Sequence, residues 1–199
     1  MPTEGLININ GDSVQVLQIL FLTTMITLLP SLAVMMTSFA KYVISLSFLR
    51  TAMGTQQNPP NMVLVGLAIF LTLLTMQPVF QQINTQALEP YQEEEISEEE
   101  FLDRAVVPLK RFMLDNTDEG ALGLYCDLAG METPLGEASV DLPLHIVVPS
   151  FMTSELKEAF LIGFLLYIPF VLIDIVVAST LMSMGMIMLP PAMISTPFK

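Results

Sequence analysis

The sequence predicts an all-α protein, built from apolar helical hairpins and a small acidic, mainly helical subdomain outside the cytoplasm. Hydrophobic residues make up 53% of its 199 positions, and its charges are confined to certain stretches. No charged residue occurs in the 27 positions Val14–Ala40 or the 20 positions Asn61–Phe80. As helices these runs would be roughly 40 and 30 Å long, enough to cross a hydrocarbon core of about 30 Å. A helical membrane or membrane-associated protein is therefore expected, and an unusually apolar soluble bundle is the alternative.

The first helix is expected to begin at Val14, after a polar lead. Pro30 should break or kink it, because proline removes a backbone donor and clashes with the preceding turn. The helical pattern resumes through Lys41 to Met53. The turn GTQQNPPN at residues 54–61 then leads into a second apolar helix, which makes an antiparallel hairpin.

Two basic residues, Lys41 and Arg50, are the only charges between the first two apolar runs. By the positive-inside rule their loop is cytoplasmic, which places the acidic segment on the outer side. Between Gln81 and Ser150 lie 15 of the 20 acidic residues and three basic ones, so this segment carries a net charge of −12. Nucleic acid is excluded as a partner, because phosphate binding needs a basic surface.

The acidic segment predicts an amphipathic helix. Ser97 and Glu100 have the spacing of a capping box, and the carboxylates at 98–100 would favour the positive end of a helix dipole. Apolar residues then recur at steps of three and four, so one face should pack while the other is solvated. Pro108 is expected to bend this helix.

A third apolar helix is expected after residue 152, with Thr153 or Ser154 as its cap and Glu155 and Glu158 in its first turn. Asp174 interrupts its apolar sequence, and such a charge is costly unless it faces water or a partner. An ion pair with Lys199, with Lys157 or with another subunit is the leading interpretation, and proton handling is the alternative.

The segment LMSMGMIMLPPAMI at residues 181–194 alternates methionine with small and apolar residues around one glycine. Side chains at every second position of a helix point in different directions and do not form one buried stripe. Packing within a single helix core therefore explains this run poorly.

No catalytic or metal-binding constellation is visible in the sequence. One cysteine, Cys126, and one histidine, His145, cannot assemble a metal site, and they are most simply packing or exposed residues. The chain has no phosphate-binding loop and no nucleophile with an adjacent base. We therefore predict a protein that is not an enzyme and has no cofactor or metal.

Three stretches together resemble the FliP family of flagellar type III export-gate proteins. They are SFLRTAMGTQQNPPN at 47–61, PSFMTSELKEAFLIGFLLYIPFVLIDIVVAS at 149–179 and LMSMGMIMLPPAMISTPFK at 181–199. The related injectisome proteins share shorter parts of these motifs. The full motif sequences are more similar to the flagellar branch of the family.

The resemblance implies a role and a set of partners. It implies that several copies of the chain, five in this family, assemble with FliQ and FliR. The assembly would form an export channel for unfolded flagellar subunits. Other membrane proteins of the export apparatus are further expected partners. The expected location is the bacterial inner membrane at the flagellar basal body, with the acidic subdomain on the periplasmic side. An injectisome component, a membrane ion or proton channel and a scaffold subunit are the alternatives.

The resemblance also suggests candidate site residues. Methionine is apolar, unbranched and adaptable, so a ring of several copies could present a deformable gasket. The gasket candidates are Met182, Met184, Met186 and Met188. Burial between subunits makes an unpaired charge expensive, so at least one intersubunit ion pair is expected. Its candidates are Glu155, Glu158, Asp174, Lys157 and Lys199.

The predicted organisation has three parts. An N-terminal apolar helical hairpin covers residues 1–80, and the acidic extracytoplasmic subdomain covers 81–150. A C-terminal apolar hairpin with the methionine-rich turn covers 151–199. It is expected to be truncated, because the resembling proteins continue into a further apolar stretch.

Overall fold

The structure is a computed structural model that describes residues 6–9, 12–55, 57–134, 136–186 and 188–199. Its N-terminal half contains a short antiparallel β-hairpin followed by long apolar helices. In chain order these elements are β1 (Leu6–Ile9), β2 (Asp12–Gln15), α1 (Val16–Met35), α2 (Phe39–Ala52), α3 (Asn61–Ile83), a π-helical turn (Asn84–Leu88) and α4 (Glu89–Gln92).

The C-terminal half consists of two amphipathic helices, one very long helix and a short return. These elements are α5 (Glu98–Asp115), α6 (Glu119–Leu128), a 3₁₀ turn (Gly136–Asp141), α7 (Leu144–Ser183), α8 (Pro191–Ser195) and a terminal 3₁₀ turn (Thr196–Phe198). The predicted all-α class with apolar helices is confirmed. The β1–β2 pair, in which Leu6 lies opposite Gln15 and Ile9 opposite Asp12, was not predicted.

Among the residues that the structure describes, two helical segments are long and apolar enough to cross a membrane, Asn61–Gln92 and Leu144–Ser183. A third candidate is the bent pair Ile19–Met35 and Phe39–Ala52. The break in this pair lies after Met35, whereas the sequence predicted it near Pro30. A helix in apolar surroundings tolerates proline where neighbouring groups compensate for the lost hydrogen bond, and α1 continues through Pro30.

The hairpin of α2 and α3 packs against α7. Tyr42 on α2 shares a hydrogen bond with Thr75 on α3, which joins the two arms of the hairpin. On the other side of α2, Phe48 packs edge to face on Phe160 of α7, with ring centroids 5.6 Å apart. Gly163, one turn along α7, lets the two helices approach closely at this point.

The acidic segment has its own small core. The fully or nearly buried members come from α5, α6, the turn before α7 and its first turns: Met113, Cys126, Leu142, Ile146, Val147 and Phe151. Phe112 packs edge to face on Phe151 at 5.9 Å. Cys126 is thus a packing residue, and His145 is exposed.

The predicted cap of α5 is confirmed. Ser97 is its N-cap, and the Ser97 hydroxyl accepts a hydrogen bond from the backbone N–H of Glu100 at 3.3 Å. Glu98, Glu99 and Glu100 occupy the first turn, where they favour the positive end of the helix dipole.

The predicted start of the third apolar helix is wrong by about nine residues. Helix α7 begins at Leu144 with Pro143 as its N-cap, so Thr153 and Ser154 lie inside it. Their hydroxyls donate to the carbonyls of Pro149 and Ser150 one turn earlier. The earlier turns are helical because Ile146 and Phe151 are buried in the core of the acidic segment.

Candidate functional site

The methionine-rich segment forms a capped turn at the end of α7. Gly185 has a φ of +75°, and its backbone N–H donates to the carbonyl of Met182 at 3.0 Å. The N–H of Met186 donates to the carbonyl of Leu181, also at 3.0 Å. This pair of bonds is a Schellman motif, which places a left-handed residue just past the helix end. Only glycine adopts that conformation without a steric cost. The glycine at position 185 therefore fixes where the chain turns.

All four gasket candidates are exposed on the chain. The exposed fractions are 66% for Met182, 71% for Met184, 44% for Met186 and 98% for Met188. In the same segment Leu181 is 9% exposed and anchors the end of α7. These methionines therefore do not fill the core of their own chain. Large exposed apolar patches usually mark interaction or ligand-binding surfaces.

The residues after this turn fold back onto α7. Helix α8 begins at Pro191, and Ser195 is fully buried. The Ser195 hydroxyl donates to Asp174, and the Lys199 ammonium donates to the other carboxylate oxygen of Asp174 at 2.7 Å. Asp174 therefore has two partners from the C-terminal return.

Lys199 also connects this return to the first hairpin. Its Nζ donates to the carbonyl of Ala52 at the end of α2, at 3.3 Å, and the Lys199 side chain is only 6% exposed. A Cβ atom added at Gly54 would lie 3.8 Å from the same Nζ. The methionine-rich turn is thus followed by a charged contact that connects α7, the C-terminus and the α2–α3 loop.

A second charged cluster lies between α2 and α7. The Lys41 ammonium contacts a carboxylate oxygen of Glu155 at 2.7 Å and one of Glu158 at 3.0 Å. The Glu155 side chain is completely buried, whereas about half of the Glu158 side chain is exposed. The Oε2 atom of Glu155 has no hydrogen-bond partner among the residues that the structure describes. This cluster therefore contains one buried acceptor that the described chain leaves unsatisfied.

Lys157 on α7 belongs to a separate ion pair. It pairs with Asp118 at 2.8 Å, and both side chains are largely exposed. Asp118 is the N-cap of α6, and its backbone N–H donates to the Ser154 hydroxyl at 2.9 Å. An exposed pair of this kind contributes little to stability, because water competes for both charges.

The structure thus gives each of the five ion-pair candidates a partner within the chain. Asp174 pairs with Lys199, as one interpretation of the sequence proposed. The partners of the others, Lys41 and Asp118, were missed as site residues. Lys41 is separated from Glu155 by 114 positions, and no spacing rule connects residues so far apart. The one signal was a lysine within an apolar region, which needs a counter-charge.

The part of the chain that the structure describes contains no cluster of three or more histidine, cysteine or acidic residues with the geometry of a metal site. The site is instead an exposed apolar turn, held by a glycine cap and followed by the ion pair of Asp174 and Lys199. An exposed apolar turn of this kind can bind another molecule, seal a passage or hold copies of the chain together.

Comparison with known proteins gives one consistent result. The family model described as "FliP family" matches residues 22–199. A protein of Aquifex aeolicus (strain VF5) named "Flagellar biosynthetic protein FliP" is 47% identical over 189 residues, which cover 95% of this chain and 79% of that protein. A protein of the same name from Bacillus subtilis (strain 168) is 50% identical over 182 residues, 92% of this chain and 81% of its own length. Another protein of that name, from Caulobacter vibrioides, is 46% identical over 201 residues, which cover 98% of this chain and 75% of that protein.

Proposed function

This chain belongs to the FliP family, and from that membership we propose that it is a core component of the flagellar type III protein export gate. The relatives reported above are named as flagellar biosynthetic proteins, which favours the flagellar role over the injectisome alternative. Two long apolar helices support a place in the bacterial inner membrane at the flagellar basal body. The observation that carries the proposal is the family match, which includes the methionine-rich turn.

In this proposal several copies, five in number, form a channel with FliQ and FliR for unfolded flagellar subunits. Other membrane proteins of the export apparatus surround them. The exposed apolar surface supports this assembly, because contiguous apolar surface on a single chain usually marks an interaction site. The acidic segment, residues 81–150, lies on the periplasmic side, and the hairpins of 1–80 and 151–199 form the channel wall.

The gate itself is proposed to be the methionine-rich turn. Met182, Met184, Met186 and Met188 are exposed on either side of a glycine cap that fixes where the chain turns. Copies that direct this turn toward a shared axis would surround it with flexible apolar side chains. Thioether side chains repack around different guests and exclude water when the channel is empty.

Replacing these four methionines with alanine is expected to raise ion leakage through the assembled gate at least several-fold. Alanine lacks the length to close the axis, whereas the turn at Gly185 is unchanged. Leakage is measured as dye or ion efflux from vesicles that contain the gate with its partners. Met131→Ala, at an exposed methionine of the acidic segment, is the matched control and should leave efflux unchanged.

The result separates the candidate functions. Unchanged leakage in the four-site variant would contradict the gasket and favour a scaffold subunit. A cation-selective current through the unmodified gate would favour an ion or proton channel. Polar or charged filter rings are typical of ion channels, and the four gasket positions contribute only thioethers.

The intersubunit ion pair also belongs to the proposal, and charge reversal tests it. Lys199→Glu is expected to reduce assembly of the gate, because it places two acidic side chains together at Asp174. The measurement is the amount of assembled complex after gentle solubilisation. A second charge reversal, at the carboxylate that pairs with Lys199 in the assembled gate, should restore the amount of assembled complex.

The identity of the restoring carboxylate distinguishes the two arrangements. Asp174→Lys would restore the pair within one chain. Glu155 lies 19 residues from Asp174 on α7, about 28 Å along the helix. Restoration by Glu155→Lys or Glu158→Lys would therefore require a second copy. If none of the three reversals restores assembly, no such ion pair supports the gate.

A further inference from the structure

An open, polar cavity of about 670 Å³ lies beside the loop between α2 and α3. Its lining consists of Arg50, Gln57, Asn58, Pro60 and Asn61. Its described lining residues therefore provide one cation and three amide side chains, and no carboxylate is among them. A cavity of this size is within the range of small-ligand sites, and its charge suits an anion.

The Arg50 guanidinium is only partly used by its own chain. Its Nη1 atom donates to the Asn61 side-chain oxygen at 2.6 Å and to the Pro59 carbonyl at 3.3 Å. Within the described part of the chain, Nε and Nη2 have no hydrogen-bond partner, and Arg50 has no salt bridge. Two bonds from one nitrogen fix the guanidinium plane. The remaining donors then form a fork of the kind that binds two oxygens of a phosphate.

The place of the cavity in the fold indicates where that phosphate comes from. Helices α2 and α3 both belong to candidate membrane spans, so the loop between them lies at the ends of apolar segments. The basic residues of this region predict the cytoplasmic side, where the membrane surface carries anionic lipids. The nearby Lys199 is already paired with Asp174. Arg50, in the last turn of α2 beside this loop, thus retains unused donors in the described structure.

We propose that this cavity binds the phosphate of an anionic phospholipid headgroup. Arg50 would contact two phosphate oxygens, and the amides of Gln57 and Asn58 would donate to the remaining headgroup oxygens. A carboxylate of a second copy is the competing occupant. A carboxylate presents its two oxygens at one point. A phospholipid headgroup also carries ester and hydroxyl oxygens, which can reach the amides of Gln57 and Asn58 beyond Arg50.

The proposal is tested on the full chain in detergent with an equal mixture of phosphatidylglycerol and phosphatidylcholine. Native mass spectrometry measures the ratio of the two lipids that remain bound. The unmodified chain should retain phosphatidylglycerol preferentially. Arg50→Gln, which keeps a donor for Asn61, should lower that preference about five-fold, the effect of one basic residue near an anionic surface. Lys157→Gln, at an exposed lysine outside the cavity, should leave the preference unchanged.

A second variant covers the case in which Arg50→Gln does not fold. Asn61→Asp leaves the arginine in place but gives it a carboxylate within the chain, so it should also lower the preference. Equal retention of both lipids by the unmodified chain, or unchanged preference in both variants, would overturn the proposal. Displacement of the lipid by inorganic phosphate would assign the site to free phosphate. Loss of association between copies in Arg50→Gln, with the lipid ratio unchanged, would assign Arg50 to a second copy.

Discussion

Replacing Lys41 with methionine is expected to lower the free energy of unfolding by about 3–5 kcal/mol, the usual cost of leaving a buried charge without its partner. Glu155 is completely buried, and Lys41 is the only hydrogen-bond partner of its carboxylate among the described residues. Methionine fills a volume similar to that of the lysine stem, so the change removes the charge rather than the packing. The measurement is an equilibrium unfolding titration of the chain in detergent.

Two further variants separate this mechanism from a general sensitivity to lysine replacement. Lys157→Met removes the cation of an exposed pair and should cost at most about 1 kcal/mol. Lys41→Met combined with Glu155→Leu should recover most of the lost stability, because an apolar pair of similar volume often replaces a buried ion pair without loss. If the double variant is no more stable than Lys41→Met alone, the buried charge is not the cause of the loss.

The sequence predicts the parts of the fold that depend on composition. Charge-free runs of 20 or more residues favour long helices in apolar surroundings, and α1 and α3 follow from the two runs of this kind. The cap at Ser97 also followed from local chemistry, because a hydroxyl and a nearby backbone N–H are enough to form it.

Tertiary contacts decided what the sequence did not predict. Thr153, Ser154 and Glu155 have the pattern of a helix start, yet α7 begins at Leu144 because Ile146 and Phe151 are buried against α5 and α6. The pair of Lys41 and Glu155 depends on how α2 packs against α7, which no local pattern encodes. The β1–β2 pair did have a signal, since an Asn-Gly dipeptide between two short segments favours a hairpin.

In the candidate site, too, local sequence predicts some features and not others. The turn at Gly185 could be predicted, because a glycine often ends a helix and Pro190 and Pro191 prevent the helix from continuing past them. The exposure of the four methionines could not, because spacing along the chain does not reveal which surfaces remain uncovered. Met188 is 98% exposed on the single chain, and its proposed role in a gasket depends on neighbouring copies that the sequence of one chain does not reveal.

Replacing Gly163 with alanine is expected to destabilise the packing of α2 on α7 by about 1–3 kcal/mol, the usual cost of overpacking a core. An added Cβ atom would lie 2.5 Å from Cδ2 of Phe48, 2.6 Å from its Cγ and 2.9 Å from its Cβ. Rotation of the ring cannot clear the contact with Phe48 Cβ, so the backbone of one helix has to move. That movement would also disturb the packing of Phe48 on Phe160. Thermal unfolding of the chain in detergent, followed by helical circular dichroism, measures the effect.

Gly66 supplies the matched control, because it also lies within an apolar helix and a Cβ atom there would meet nothing within 4 Å. Alanine stabilises a helix interior by up to about 1 kcal/mol relative to glycine, so Gly66→Ala should be neutral or stabilising. In a Phe48→Ala background, Gly163→Ala should cost less than it does alone, because the clashing ring atoms are gone and the two changes are coupled. An equal cost in both backgrounds would show that the ring atoms of Phe48 are not the source of the clash. A gain in stability from Gly163→Ala would mean that helix propensity outweighs the contact and that α2 lies farther from α7 than the structure places it.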